Sequence, residues 1–157
     1  AEVVIKSYNT DPYVSLSTWL QSVLSSIGLN ATVEPMERAS WLAACNAQEI
    51  DILILSWNGT AYDMDESFGA LFYSGNVGTN GNYGFYINEE ADELVLAARA
   101  ATDTEERAAI YAELVNKMAE EVPFVPLYGV NSVIPRNAEI GVDNLRSYNM
   151  YDYYWAE

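Results

Sequence analysis

An α/β fold, with a mixed, mostly parallel sheet flanked by helices, is what this sequence predicts, and three observations carry the prediction. Strand-like apolar stretches at residues 3–5, 32–33 and 50–55 alternate with amphipathic segments of helical period. The run from Ile50 to Leu55 is broken only by Asp51, the pattern of a strand buried on both faces, as in parallel sheets. Strand, helix, strand, helix, strand is the order that builds such a sheet through crossover connections. At 157 residues the chain is long enough for one real core.

The elements follow in order. Val3-Val4-Ile5 is the first strand. Asp11-Pro12 reads as a helix cap followed by proline at the first helical position. Leu16, Trp19, Leu20, Val23, Leu24 and Ile27 recur at helical spacing, which predicts a helix over 13–27 with Trp19 in the core and Gly28 as its stop. Thr32-Val33 is a short strand ending near Pro35, and Met36, Ala39, Leu42 and Cys45 mark a second amphipathic segment. The run 50–55 is expected as a central strand, with Ile52 and Ile54 packed under the first helix. Past Trp57 the style changes. Residues 74–84 hold four of the nine glycines, at 75, 78, 81 and 84, and predict a mobile loop. A helix opens near Asn88 and carries Leu94, Val95 and Ala98. Another has Asp103 and Glu106 at capping-box spacing, then Ile110, Leu114 and Met118 along one face. Residues 89–121 contain ten acids against three bases, the mark of a solvated outer face. Prolines 123 and 126 make residues 122–128 extended. From Asn131 strand character is weak, and the chain closes on Tyr148, Tyr151, Tyr153, Tyr154 and Trp155.

Charge excludes several functions. Seven basic residues against 23 acidic ones give −16, with no histidine. So few dispersed cations cannot neutralise a nucleic-acid backbone or dock on an anionic membrane. Without histidine there is no Ser-His-Asp triad, no His-ligated zinc and no imidazole acid–base chemistry. The lone Cys45 allows no internal disulfide and reads as a small core residue. No apolar run approaches the roughly 18 residues of a membrane span, and no basic-then-apolar leader opens the chain. The expectation is a cytosolic protein or a piece of something larger.

The loop after the third strand, Ser56-Trp57-Asn58-Gly59-Thr60-Ala61-Tyr62-Asp63-Met64-Asp65-Glu66, is the candidate site. Ligands of open α/β sheets sit beyond the carboxyl ends of strands. There Trp57 offers a stacking face, while Asn58, Gly59, Thr60 and Tyr62 offer oriented hydrogen bonds; a Trp57 that merely caps the core is the plainer alternative. Asp63, Asp65 and Glu66 do not make a calcium loop, because Phe68 stands where that loop needs glycine. Two carboxylates this close on one loop cannot straddle a glycosidic bond either, and Asp65 and Glu66 read as helix-capping acids. The recurrent glycines do not form a GxGxxG phosphate cradle. Catalytic residues, metal and cofactor are therefore not expected.

The order of landmarks goes further. A strand and a helix lead to Ser26-Ile27-Gly28-Leu29-Asn30-Ala31, then Trp41-Leu42, Glu49-Ile50-Asp51-Ile52, Trp57 with its acidic loop, and Asn82-Tyr83. Asn88-Glu89-Glu90-Ala91-Asp92-Glu93-Leu94, Thr102-Asp103-Thr104-Glu105-Glu106-Arg107, Ile110-Tyr111, Glu121-Val122-Pro123 and Val125-Pro126-Leu127-Tyr128 complete the series. Over nearly its whole length the chain resembles the C-terminal part of the family 5 solute-binding proteins of ABC importers, the dipeptide, oligopeptide and nickel binders. The resemblance implies one lobe of a type II periplasmic-binding-protein-like fold, roughly the final third of a two-lobed protein. It implies residues 1–130 as the C-terminal ligand-binding lobe and 131–157 as a return segment packing towards the other lobe. It implies non-catalytic capture of a small solute, most directly a peptide or peptide-like compound. The partners would be that ligand, the N-terminal lobe of the same protein and the membrane permease subunits of the importer. The location would be the periplasm, or outside a Gram-positive membrane on a lipid anchor.

Trp57 matches the family's pocket-lining Trp. Peptide-binding members usually carry an Asp three residues later, which pairs with the ligand's α-ammonium; here that position is Thr60, and Asp63 is a possible substitute. Tyr62-Asp63 is also similar to the Tyr-Asp-Pro of nickel and some other members, with one inserted residue and Met64 in place of Pro. The expected ligand contacts are thus Trp57, Asn58, Gly59, Thr60, Tyr62 and Asp63. An oligosaccharide, opine or chelated metal is the alternative cargo within the family, and an acidic α/β enzyme the alternative outside it.

Overall fold

The computed structural model describes residues 2–57, 63–79, 81–130, 135, 137–142 and 153–155. The chain divides into two compact units, Ala1–Phe124 and Val125–Glu157.

The first unit opens with β1 (Glu2–Tyr8), α1 (Tyr13–Ser26), β2 (Asn30–Met36), α2 (Arg38–Asn46) and β3 (Ile52–Leu53). Their strands form a parallel sheet in the order β2-β1-β3, with Ile5 opposite both Val33 and Ile52. The α/β class is the one the sequence predicts. The centre of the sheet is not: β1 lies between its neighbours, and the run 50–55 contributes only a two-residue strand. An apolar run reports burial rather than position in the sheet. Asp51 also intervenes, since its Oδ2 accepts the Val4 backbone N–H at 2.8 Å. Proline 35 does not end β2, which runs on to Met36; an edge strand tolerates a residue without an N–H.

Helix α1 covers the sheet through Tyr13, Leu16, Leu20 and Leu24, which pack around Ile5, Ala31 and Ile54. Ile52 and Ile54 lie under it as expected. Trp19 does not: it is 55% exposed, with Val23 and Ile27 also exposed, whereas Ser17 is fully buried. Two residues along an α-helix turn the side chain by about 200°, so the face that buries Ser17 points Trp19 away. The six apolar residues are two stripes, and the sheet takes the leucines. The expected cap also differs. The helix begins at Tyr13 behind Pro12, and Asp11 instead accepts the Ser15 hydroxyl at 2.7 Å.

Helix α2 buries Trp41, Ala44 and Cys45 and leaves Leu42 exposed. The Trp41 indole donates to the Lys6 carbonyl at 3.1 Å, and its ring lies 4.5 Å from Tyr8 and 6.0 Å from Tyr83.

The unit continues with α3 (Met64–Phe72), a 3₁₀ turn (Ser74–Asn76), α4 (Glu89–Ala100) and α5 (Thr104–Glu121). The glycine-rich stretch is a tied turn rather than a mobile loop. Asn82, fully buried, donates to the Tyr73 and Tyr86 carbonyls and accepts the Tyr86 N–H. Helices α4 and α5 start where expected, with Asn88 accepting Ala91 N–H at 3.1 Å and Asp103 accepting Glu106 N–H at 2.8 Å. Their shared core holds Ala91, Val95, Ala98, Tyr111, Leu114 and Met118 against Phe72. The ten acids of 89–121 are exposed save for half-buried Asp92, which holds Ser74. In the second unit β4 (Ile140–Val142) pairs antiparallel with β5 (Tyr153–Trp155). Tyr148 and Tyr151 lie outside the described residues.

Candidate ligand-binding site

The site grows from the carboxyl ends of β1 and β3, where a parallel sheet leaves room for ligands. Tyr8 ends β1 and meets Tyr13 edge-on at 4.9 Å, and the Tyr13 hydroxyl shares a 2.6 Å hydrogen bond with Ser56. Trp57 is next in the chain. Its indole N–H donates to the Glu66 carbonyl in the first turn of α3, at 2.9 Å. Its benzo ring lies on Gly81, where a Cβ would stand 2.8 Å from the Trp57 Cη2 atom. Trp57 is nonetheless 36% exposed. One side chain thus packs as the plainer reading requires and still presents surface at the strand ends.

Asn58, Gly59, Thr60 and Tyr62 lie outside the described residues. Asp63 is described, and three donors of the scaffold hold its carboxylate. It caps α3 by accepting the Asp65 N–H at 2.8 Å, and it accepts both terminal nitrogens of Arg107, at 2.9 and 2.8 Å. Arg107 in turn donates to the Ala98 carbonyl at 3.0 Å, and its guanidinium carbon lies over the Tyr111 ring, 5.2 Å from its centre. The Arg107 guanidinium, and then the Asp65 amide, hold the Asp63 carboxyl below the usual carboxylate range. The capping role expected of Asp65 and Glu66 falls to Asp63, because the cap is the residue before the first helical one. Asp65 and Glu66 occupy the first turn, where the helix dipole favours acids, and Asp65 pairs with Arg99 at 2.7 Å.

Trp57 and Asp63 therefore fix the two ends of the loop to the same scaffold. Tyr8, Tyr13, Gly81 and Arg107 were not singled out as site residues from sequence. Arg107 stood among the family landmarks, but its pairing with Asp63 spans 44 residues and is legible only in three dimensions. No group of three or more Cys, Asp or Glu among the described residues could hold a metal ion. Cys45 is buried in α2, and burial pushes its thiol up to about 11. No helix among the described residues is long and apolar enough to cross a membrane.

The small parallel sheet with its flanking helices matches one lobe of the periplasmic-binding-protein fold. The comparisons with known proteins give the particulars. No family model matches the chain. Among curated relatives, Di/tripeptide-binding protein 3 of Pseudomonas aeruginosa (strain UCBPP-PA14) is 23% identical over 137 residues, covering 87% of this chain and 25% of its own length. The probable D,D-dipeptide-binding periplasmic protein DdpA of Escherichia coli (strain K12) is 28% identical over 132 residues, with 84% and 25% covered. Among solved structures, the ABC transporter-associated periplasmic binding protein DppA from Helicobacter pylori, in complex with peptide STSA, superposes with a TM-score of 0.79. It is 22% identical, and the match covers 99% of this chain and 31% of that one. NikZ from Campylobacter jejuni, in complex with Ni(L-His), gives a TM-score of 0.66 at 26% identity, over 78% of this chain and 25% of that one. AgaA from A. tumefaciens R10, in complex with agropinic acid, gives 0.67 at 24% identity, over the same shares, 78% and 25%.

The curated relatives are peptide-binding proteins and the structural neighbours include peptide and nickel binders, so the resemblance to the family 5 solute-binding proteins holds. These relatives are binding proteins, not enzymes. The chain spans about a quarter of the length of the curated relatives it matches.

Proposed function

We propose that this chain forms one wall of the cleft in a two-lobed solute-binding protein that captures a peptide or peptide-like compound for an ABC importer. The observation that carries the reading is Trp57: anchored on α3 and Gly81, yet open at the carboxyl ends of the strands. The peptides that the relatives bind supply the class of cargo. Asn58, Gly59, Thr60 and Tyr62 are the residues proposed to contact the ligand together with Trp57, and Asp63 is held by α3 and Arg107. Residues 131–157 belong with the other lobe, which completes the cleft, and the protein works in the periplasm or outside the cell with membrane permease subunits as partners. The nickel-chelate and opine complexes of NikZ and AgaA keep a second class of cargo in view.

Two walls are needed to bury most of a ligand, and closure of lobes is what traps it. Calorimetric titration of the 157-residue chain with di- and tripeptides should therefore show at most millimolar affinity. A longer chain carrying both lobes should bind a member of the set at micromolar strength or better, and lose it on Trp57→Ala. Micromolar binding by the 157-residue chain alone would refute the two-lobe reading.

A further inference from the structure

We infer that α5 ends in a strained two-state latch: a left-handed turn at Val122 seats Phe124 on the helical core, and relaxation of that turn releases the chain from Phe124 onward while the helices stay folded.

The helix closes on Val122 with φ +48° and ψ +55°, not with the extended backbone expected of residues 122–128. That left-handed position is usually glycine, and a β-branched residue there is a genuine outlier. Pro123 adds to the strain, since a proline pushes the residue before it towards extended backbone. Burial does not compensate, because Val122 is 56% exposed. Two anchors hold the turn instead. Upstream, the Glu121 carboxylate accepts the Tyr86 hydroxyl, the Asn88 side-chain amide at 3.0 Å and the Lys117 ammonium at 2.9 Å. Asn88 caps α4 and Lys117 also pairs with Glu90, so Glu121 is tied to the start of α4. Downstream, the Phe124 ring stacks on buried Phe72, with centroids 5.3 Å apart and planes at 27°. Phe124 remains 47% exposed, so release gives up only part of one ring's burial. The strain of a left-handed non-glycine residue and the gain from one aromatic pair are of the same order, which is the condition for two populated states. Phe72 is also the last residue of α3, whose first turn holds the Trp57 indole, so the latch and the strand-end tryptophan share one helix.

Limited chymotrypsin digestion of the full chain tests the latch. Cleavage after Phe124 reports release, and cleavage after buried Tyr111 reports unfolding of the whole unit, each rate scaled to that of a free peptide of the same sequence. In the unaltered chain the scaled rate after Phe124 should exceed that after Tyr111 by at least about tenfold, as a local opening requires. Val122→Gly and Val122→Asn accept the left-handed turn with little strain, and each should slow cleavage after Phe124 about tenfold. Tyr86→Phe takes one donor from Glu121 and should speed it roughly two- to tenfold, the size of one hydrogen bond. Glu121→Ala removes the upstream anchor and should speed it further, with the three-bond coupling and Cα shift of Val122 moving from left-handed to extended values in NMR spectra. Equal scaled rates after Phe124 and Tyr111 in every variant overturn the inference, since the segment then opens only with the whole unit. An unchanged rate in both Val122→Gly and Val122→Asn also overturns it, because the turn then stores no strain.

Discussion

Gly81→Ala should be the most damaging single-methyl change in the glycine-rich turn, and its cost can be assembled from two independent sources. Gly81 has φ +126°, a backbone conformation that L-residues rarely adopt. Holding a non-glycine residue in so sparsely populated a region costs of order 1–3 kcal/mol. The added Cβ would also stand 2.8 Å from Trp57 Cη2 and 3.1 Å from the Ala70 carbonyl oxygen. Backbone cannot retreat as a flexible side-chain tip can, so Trp57 must move, and overpacking of this kind costs about 1–3 kcal/mol. Together the penalty is roughly 2–6 kcal/mol, and at about 2–4 °C per kcal/mol the melting temperature should fall by roughly 4–24 °C. Two other glycines separate the contributions. Gly28 has φ +86° with nothing within 4 Å of its Cβ position, so Gly28→Ala carries strain alone. Gly84 has neither strain nor a neighbour, so Gly84→Ala should change stability by less than about 0.5 kcal/mol. Urea unfolding followed by circular dichroism ranks the three, and acrylamide quenching should show Trp57 more accessible in Gly81→Ala. If Gly81→Ala costs no more than Gly28→Ala, the Trp57–Gly81 contact is not there as described.

Three further outcomes are expected. Ser17→Ala should raise stability by about 1 kcal/mol, since the Ser17 hydroxyl is fully buried with no hydrogen-bond partner among the described residues; a loss of stability in thermal melts would mean that the hydroxyl is satisfied after all. The folded pKa of Asp63 lies below its unfolded value, so its pairing with Arg107 stabilises the chain above the ordinary carboxylate pKa near ~4 and is lost as pH falls through the depressed one. The melting-temperature gap between the unaltered chain and Asp63→Asn should therefore be open at neutral pH and close in strong acid, and a gap that persists there would point to packing instead. Cys45, with its thiol pushed up to about 11 by burial, should resist a disulfide reagent at pH 8 in the native chain and react once urea unfolds it; fast native labelling would contradict its place in the core.

What the sequence by itself determined is whatever follows from local chemistry and repeat period. The helices at Asn88 and Asp103 were legible because a capping side chain and the amide it accepts lie three residues apart. The α/β class was legible because strand-length and helix-length apolar patterns alternate, and Trp57 stood out as an aromatic placed just past a strand. Tertiary structure decided the matters in which a residue's partner is remote. Trp19 and Ser17 share one helix, and only the sheet beneath it selects which of them is buried. The run 50–55 looks like the centre of a sheet by burial alone, yet position in a sheet depends on which strands pair, and β1 takes that place. The glycines of 74–84 imply freedom until Asn82 spends its amide group tying the turn shut. Asp63 looked available to a ligand because its counter-charge, Arg107, comes from a helix 44 residues away. Periodicity and spacing encode what a residue can do within a turn or two of backbone. Which of those capacities is left for a ligand is set by long-range contacts, and those exist only once the chain has closed on itself.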